Sequence, residues 1–372
     1  MQDVLRAHAD ARMRVALAVA VSDQNALVYE DDQKFLATLP PELQRGMAAL
    51  LMHRGIPADG YFQVFQHLRE AHADSQLVRI LLGPAGLQWC SDELLTRIAE
   101  AAGLAKAGIH LHAVESPYQK EYAVRRFGRT AFAHLHELGV LGPRTSCAHC
   151  VWVTESDLEI LADTQTTVVH NPSSNLRLGC GTAPVLPMLQ RGVNVALGTD
   201  GSTLNDDDDM LQEIRLCLRL HRPIGLRAEH LSPGQALAMA TVAGARAAQF
   251  EDQIGRLTAG RRADLVLLRM HGLVPTSLAV TDVLQAFLLR AKSTSIDTVM
   301  IDGQIVLREG ALTAIDKEAV EAELAAEASQ ERTGGERERE QLIAAAIPYM
   351  VRFYEDWTLP AGQPFYQVNS RT

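Results

Sequence analysis

Short apolar runs alternate with longer amphipathic stretches along the first half of the chain. The short runs predict buried strands, and the stretches with apolar residues at helical spacing predict helices. The predicted strands cover residues 13–21, 77–82, 108–114, 145–150, 166–170 and 193–199. The predicted helices cover residues 118–141, 155–162 and 184–191, and one more follows its N-cap residue Ser91. This alternation is typical of a parallel α/β sheet or barrel.

The pattern changes after residue 200. It predicts helices over residues 206–220 and 232–250, and then short strands over residues 256–257, 264–268, 298–301 and 304–307. Asp302 and Gly303 form a turn signal between the last two strands. We therefore expect a barrel in residues 1–250, the C-terminal part of a small β-sandwich in residues 251–315, and a helical and extended tail in residues 316–372.

Composition narrows the class of protein. With 372 residues and 47% hydrophobic content, the chain can bury the core of a barrel with an appendage. A net charge of −10 argues against nucleic acid or an anionic membrane surface as a partner. No apolar run reaches the ~18 residues of a membrane helix, and the five cysteines lack a disulfide-framework spacing. We expect a cytoplasmic protein.

Cys147 and Cys150 form a Cys-x-x-Cys pair around His149. Such a pair can be a redox centre or half of a zinc site. It can also be two small buried residues at a strand end, which is how free cysteines commonly pack. Because no second pair exists, the second interpretation is favoured.

Polar side chains stand at the ends of several predicted strands. His112, Glu115, His149, His170 and Asp200 each follow or end an apolar run. Parallel barrels present their catalytic groups at the carboxyl ends of the strands. Histidines and carboxylates brought together there suit a divalent metal and the water that it activates.

Several motifs occur together in a fixed order. They are His-Leu-His-Ala-Val-Glu, ending at Glu115; Ala-His-Cys-Val, around His149; His-Asn-Pro-Ser-Ser-Asn-Leu-Arg-Leu, from His170; Leu-Gly-Thr-Asp-Gly, around Asp200; and Gly-x-Leu-x-x-Gly-x-x-Ala-Asp-Leu-Val, from Gly255. Over residues 13–307 the chain resembles the amidohydrolase superfamily, and most closely its deaminase and chlorohydrolase branch. The resemblance implies a (β/α)₈ TIM-type barrel with one divalent metal, Zn²⁺ first and Fe²⁺ as the alternative.

The resemblance also implies roles. His112 would be a metal ligand on the fifth barrel strand, and Asp200 on the eighth would be both a metal ligand and the general base. Glu115 would shuttle protons, and His149 would hydrogen-bond the hydrolytic water or the attacked substrate. The expected activity is hydrolytic deamination at a C–N bond of a small nitrogen heterocycle. Hydrolysis of a C–Cl or alkylamine bond in the same site, or an inactive remnant, are the alternatives.

Three further residues are candidates for substrate contact. Trp89 follows the predicted strand at residues 77–82, where it can stack on a heterocycle or simply pack on the rim. His170 is expected to orient the pocket through hydrogen bonds rather than to bind metal. Asn175 is the best candidate for a pocket contact in its segment. A homo-oligomer is also expected.

The chain departs from the family at its start. The family carries His-x-His on its first strand, but His110 and His112 belong to the fifth strand, and His134 and His136 lie in a predicted helix. Only six of eight barrel strands are predicted before residue 200. We therefore expect an N-terminally incomplete barrel whose Met1 is an internal methionine. Such a chain should bind metal weakly and associate through its open strand edges.

Overall fold

The computed structural model describes residues 1–51, 57–204, 207–223, 225, 229–271, 273 and 282–357. The strands are β1 (Val15–Val21), β2 (Val78–Pro84), β3 (Ile109–Ala113), β4 (Thr145–His149), β5 (Thr167–His170), β6 (Val195–Leu197), β7 (Leu265–Leu268), β8 (Ile296–Ile301), β9 (Gln304–Arg308) and β10 (Ala311–Leu312).

The helices complete the element order. They are α1 (Gln2–Asp10), α2 (Asp32–Leu36), α3 (Pro41–Leu51), α4 (Ala58–Ala71), α5 (Asp92–Ala105), α6 (Pro117–Phe127), α7 (Ala131–Glu137), α8 (Glu155–Asp163), α9 (Pro172–Arg177), α10 (Val185–Gln190), α11 (Met210–Leu220), α12 (Pro233–Ala240), α13 (Val242–Ala247), α14 (Val283–Arg290), α15 (Lys317–Ala328) and α16 (Gly334–Phe353), with a 3₁₀ turn at Ser293–Ser295. No helix in these described ranges is long and apolar enough to cross a membrane.

Strands β1 to β6 form one parallel sheet in sequential order. A sequential order with helical crossovers is how consecutive strands of a (β/α)₈ barrel are connected, whereas a doubly wound sheet reverses its order. The six predicted strands and the barrel-type α/β class are confirmed. Within the described residues, β1 and β6 are the two edges of this sheet.

Burial alternates along β3 and thereby orients its polar residues. Ile109, Leu111 and Ala113 are buried, whereas His110 and His112 share the opposite face and are partly exposed. This alternation follows from the two-residue period of a strand. The two histidines therefore project from the face opposite to the packed residues of β3.

Two of the predicted helices are wrong in their extent. The stretch at residues 118–141 divides into α6 and α7, because Gly128 ends α6 in the left-handed conformation with φ of 66°. Thr130 then caps α7 through a hydrogen bond from the Ala133 N–H. The stretch at residues 232–250 divides at Thr241 into α12 and α13. Helical periodicity continues across both breaks, so the pattern alone could not reveal them.

Other predicted bounds shift in the same region. The helix expected from residue 206 begins at Met210, after its N-cap Asp209, and Asp206 lies outside the described residues. Residues 256–257 form no strand: residue 256 lies in a bend and residue 257 is irregular. Strands β7 to β10 form one four-stranded antiparallel sheet, in the order β10-β9-β8-β7. Asp302 and Gly303 connect β8 to β9 with positive φ values of 50° and 79°, which confirms the predicted hairpin turn.

An ion pair joins the two sheets. The guanidinium of Arg14, just before β1, donates two hydrogen bonds of 2.7 and 2.8 Å to the carboxylate of Asp264, just before β7. The Asp302 N–H donates a third, of 2.9 Å. Burial alone would raise the pKa of Asp264, but these hydrogen bonds and the Arg14 charge outweigh it and lower the pKa. Asp264 belongs to the Ala-Asp-Leu-Val motif, whose role here is therefore structural.

The C-terminal tail is helical through residue 353 and packs on the segment after β1. Ala346 of α16 joins a small buried cluster with Phe35, Leu36 and Met47 of α2 and α3. The Tyr29 N–H also donates a 2.7 Å hydrogen bond to the Tyr354 hydroxyl. Residues 358–372, the predicted extended part, lie outside the described residues.

We predict that Asp264→Asn lowers the free energy of unfolding by about 2 kcal/mol at neutral pH, since it weakens charge-assisted hydrogen bonds. The native pKa is lowered, so the contribution of the carboxylate is complete above ~pH 4 and is lost as pH falls through the native pKa. Urea unfolding of the parent and of Asp264→Asn across the acid range measures the free energy of unfolding of each. The difference between the two proteins should disappear at acid pH.

Asp297→Asn is the matched control, because Asp297 pairs with Arg269 at 2.7 Å on the exposed surface of the same sheet. Exposed pairs contribute little, so this variant should unfold almost as the parent does. A loss for Asp297→Asn equal to that for Asp264→Asn would refute the inter-sheet role of the Arg14 pair.

Candidate active site

The predicted catalytic groups lie at the carboxyl ends of β3, β4 and β6, and therefore at the same end of the parallel sheet. His112 lies in β3, with Glu115 two residues beyond its end, His149 ends β4, and Asp200 follows β6. The backbone is strained at these ends, where the non-glycine residues Val114, His149 and Asp200 have φ of 40°, 71° and 62°. Such strain clusters at functional sites, where the surrounding structure holds it in place.

His112 is held by the neighbouring β2–α5 loop. Its Nδ1 lies 2.7 Å from the Ala85 carbonyl oxygen, which can only accept, so Nδ1 carries the hydrogen. The Nε2 lone pair is therefore free for a ligand. The His112 ring stacks on that of His149, with centroids 5.5 Å apart and an interplanar angle of 19°.

Glu115 and His149 form a pair. Glu115 Oε2 lies 3.9 Å from His149 Nε2, and the side chains are 15% and 1% exposed. Gln119 Nε2 lies 3.4 Å from the same carboxylate oxygen, and the Cys180 thiol lies 3.7 Å from the other. Burial and the Glu115 charge raise the pKa of Cys180 to about 12, so it remains a protonated donor. The carboxylate is thus oriented by three neighbours.

Asp200 has a partner on helix α9, and His110 has one on the neighbouring strand β4. The Ser174 hydroxyl donates a 2.6 Å hydrogen bond to Asp200 Oδ2. His110 Nδ1 lies 2.7 Å from the Ser146 hydroxyl. Burial, with His112 and His149 as neighbours, lowers the pKa of His110 to about 4, although Asp200 opposes this. His110 is a neutral, packed side chain at neutral pH.

Aromatic rings border the site beside His112. The Trp89 ring meets the His112 ring edge to face at 6.1 Å, and Tyr29 meets Trp89 edge to face at 5.7 Å. Burial raises the pKa of Tyr29, whose hydroxyl has side-chain hydrogen bonds to Gln119 and Ser116, next to Glu115. The Trp89 ring lies beside the predicted metal ligand His112. Stacking of Trp89 on a substrate stays a prediction.

His170 lies deeper. It is fully buried, and its Nε2 lies 3.2 Å from His221 Nε2, with the thiol of Cys217 nearby. Burial lowers the pKa of His170 well below its usual value, and that of His221 to about 4, so both rings are neutral.

His170, Cys217 and His221 lie close enough together to hold a metal ion. A ligating histidine, however, donates its other ring N–H to an acceptor, and His170 Nδ1 has none among the described residues. A His–His hydrogen bond explains the contact better, and a substrate contact of His170 stays a prediction.

Two of the residues present, His112 and Asp200, are oriented by their neighbours as ligands of a divalent metal usually are. His112 offers Nε2 while Nδ1–H is held by a carbonyl, which is the usual arrangement around a ligating histidine. Asp200 offers Oδ1 while Oδ2 accepts the Ser174 hydrogen bond. Catalytic metals take at least three protein ligands, so weak metal binding by this chain stays a prediction.

Several contacts in the site were missed from the sequence. Asn175, expected to touch substrate, has its Oδ1 2.9 Å from His149 Nδ1. Ser174, Gln119, Cys180 and Tyr29 were not singled out. Gln119 follows Glu115 by one helical turn, a spacing that signals proximity; the others are distant in sequence from the groups they contact. Cys147 and Cys150 are free and fully buried, as the packing interpretation predicts.

Comparison with known proteins gives the following matches. Residues 46–306 match the amidohydrolase family. A 5-methylthioadenosine/S-adenosylhomocysteine deaminase of Moorella thermoacetica is 38% identical over 247 residues, 66% of this chain and 57% of the relative. A 5'-deoxyadenosine deaminase of Methanothermobacter thermautotrophicus is 38% identical over 272 residues, 72% of this chain and 62% of the relative. The chain thus spans less than two thirds of these relatives.

Solved structures share the fold. An adenosine deaminase from Xanthomonas campestris with bound zinc superposes with a TM-score of 0.74 at 25% identity, covering 92% of this chain and 69% of its own. A zinc complex of an atrazine chlorohydrolase from Arthrobacter aurescens gives a TM-score of 0.73 at 24% identity, covering 87% of this chain and 68% of its own.

We predict that Gly198→Ala lowers the free energy of unfolding by about 1–3 kcal/mol through overpacking. A Cβ at position 198 would lie 2.4 Å from Asn171 Oδ1 and 2.9 Å from Val169 Cγ1, in the middle of the strand-end cluster. Thermal unfolding followed by circular dichroism measures the loss.

Gly103→Ala is the control, because a Cβ there meets nothing within 4 Å and the residue lies inside α5. This variant should gain about 0.5–1 kcal/mol. Equal stability of Gly198→Ala and the parent would contradict the tight packing of Asn171.

Proposed function

The chain belongs to the amidohydrolase family, and on that premise we propose that its strand-end side chains serve the hydrolytic deamination of an adenosine-type nucleoside. The main support for the proposal is the Glu115–His149 pair. It places a carboxylate suited to proton transfer 3.9 Å from an imidazole nitrogen, at the carboxyl ends of β3 and β4. The deaminases of 5-methylthioadenosine, S-adenosylhomocysteine and 5'-deoxyadenosine support the substrate class.

The products are an oxo-purine and ammonia. When bound, a divalent metal supplies a Lewis acid that makes water reactive near neutral pH. His112 Nε2 and Asp200 Oδ1 would hold it, together with further donors, because a catalytic metal takes at least three. Zn²⁺ is the proposed ion, since imidazole and carboxylate are among its common ligands.

The residues then divide the proton transfers. Asp200 accepts a proton from the attacking water, and the Ser174 hydrogen bond to Oδ2 holds the carboxylate in place for that transfer. Glu115 delivers a proton to the ring nitrogen beside the attacked carbon. Asp200 then passes the proton that it took from water to the departing amino group, which leaves as ammonia, and the proton of the added hydroxyl returns to Glu115 as the new carbonyl forms. His149 Nε2 accepts a hydrogen bond from the attacking oxygen. Trp89 provides an aromatic face for the purine.

Dehalogenation is the less favoured alternative. The atrazine chlorohydrolase resembles the chain at 24% identity, which shows a common fold and leaves the leaving group open. The relatives at 38% identity are both deaminases of adenosine derivatives. Loops around a barrel, rather than the metal, select the leaving group.

A substrate panel tests the proposal. The purified protein, supplied with Zn²⁺, is incubated with adenosine, 5'-deoxyadenosine, 5-methylthioadenosine, S-adenosylhomocysteine and atrazine, and ammonia and chloride release are measured. Ammonia from one or more of the nucleosides is expected. Chloride from atrazine without ammonia from any nucleoside, or turnover of none of the five, would refute it.

We predict that Glu115→Gln lowers kcat on the best nucleoside roughly 10²–10⁴-fold, the value of a positioned proton donor, with little effect on KM. Amide and carboxylate have nearly the same shape, so the fold should persist. Steady-state kinetics and a melting curve for the same preparation measure both effects.

Glu121→Gln serves as the matched control, because Glu121 lies in the adjacent α6 and pairs with Arg125 at 2.8 Å, outside the site. It should keep the parental kcat. A Glu115→Gln enzyme with near-parental turnover would show that Glu115 moves no proton in the slow step.

A further inference from the structure

Two neighbouring residues of α9 hold two different catalytic side chains. Asn175 Oδ1 lies 2.9 Å from His149 Nδ1, at the end of β4. The Ser174 hydroxyl donates a 2.6 Å hydrogen bond to Asp200 Oδ2, beyond the end of β6. Both Ser174 and Asn175 are 0% exposed, so neither can exchange its partner for water without opening the structure.

The position of α9 explains how one helical turn reaches both groups. The helix begins at Pro172, directly after β5, and β5 lies between β4 and β6 in the sheet. Consecutive residues of a helix project about 100° apart. Ser174 and Asn175 can therefore diverge from the central strand towards the ends of its two neighbours.

The contact from Asn175 sets the tautomer of His149. An amide oxygen accepts only, so the hydrogen must be on Nδ1 and the lone pair on Nε2. That lone pair is on the side of Glu115, 3.9 Å away. The Asn171 amide nitrogen also lies 3.4 Å from Nδ1, which is longer and makes the 2.9 Å contact the dominant one.

The contact from Ser174 distinguishes the two oxygens of Asp200. A hydroxyl hydrogen bond to a carboxylate at 2.6 Å is short and charge-assisted. It fixes the rotation of the carboxylate and leaves Oδ1 as the oxygen for a ligand or a proton. Asp200 stands at a positive φ of 62°, so its own backbone is held in a strained conformation as well.

We propose that Ser174 and Asn175 are positioning residues, which act through Asp200 and His149 and do not touch the reacting atoms. The proposal rests on the proposed function for its effect on turnover, but its structural content is independent of that function. Groups of this kind around metal ligands are worth 10–100-fold in affinity or activity. The proposal also gives Asn175 a role other than substrate contact.

The first test compares Asn175→Leu with Asn175→Asp by ¹⁵N NMR of the imidazole rings in the metal-free protein. Leucine removes the acceptor and should leave His149 in a mixture of tautomers. Aspartate keeps an acceptor and should retain hydrogen on Nδ1. His149→Gln identifies the signal. Parental ¹⁵N shifts in Asn175→Leu would overturn the Asn175 assignment, whether or not the protein deaminates anything.

The second test compares Ser174→Ala with Ser173→Ala. Ser173 is the adjacent buried serine, and its hydroxyl has no partner among the described residues, so Ser173→Ala controls for loss of a buried hydroxyl in α9. Zinc affinity is measured by competition with a chelator. Ser174→Ala should weaken it 10–100-fold and Ser173→Ala should not. Equal affinity of Ser174→Ala and the parent, or no zinc binding by the parent, would overturn the Ser174 assignment.

Steady-state kinetics of the same variants provide the third test. Both Asn175→Leu and Ser174→Ala should lower kcat 10–100-fold with KM within about twofold, while Ser173→Ala keeps parental values. A large rise in KM with unchanged kcat would instead assign these residues to substrate binding and overturn the proposal. Absence of turnover in the parent would refute the proposed function, while the NMR and zinc results would still decide the positioning role.

Discussion

Parallel pairing of neighbouring strands is the constraint on which the site depends. Strands β1 to β6 run parallel, so their carboxyl ends all lie at the same end of the sheet. His112, His149 and Asp200 are far apart along the chain, and they come together because each lies near the carboxyl end of its strand. A one-residue slip of any strand would turn its polar end residue to the helix side. Ile109, Leu111 and Ala113 of β3 oppose such a slip, because it would move these buried residues to the partly exposed face of the strand.

The four candidate catalytic side chains at the strand ends are each held by a further polar group. His112 has the Ala85 carbonyl, His149 has Asn175, Asp200 has Ser174, and Glu115 has Gln119. Leaving one such group unpaired in a low-dielectric interior costs more than the hydrogen bond itself contributes. The same contacts that stabilise the fold therefore also set tautomers and carboxylate rotations, which is the preorganisation that proton transfer requires.

The parts of the chain outside the parallel sheet are tied to it by a few specific contacts. Arg14 and Asp264 connect the start of β1 to the antiparallel sheet through two short hydrogen bonds. At the other end, Tyr354 of the tail bonds to the backbone of Tyr29, whose ring borders Trp89. The tail thus supports the aromatic side of the site, a connection that joins residues 325 positions apart.

Local patterns in the sequence determined the strands, the strand-end chemistry and the family. Apolar runs report burial, and the turn signal at Asp302 and Gly303 reports φ, because both depend on neighbouring residues alone. The break at Gly128 was missed, since helical spacing continues through it. Which side chain holds Asp200 or His149 was decided only by the tertiary structure. Those partners depend on the register of β4, β5 and β6 and on the direction in which α9 leaves the sheet, and no local pattern encodes either.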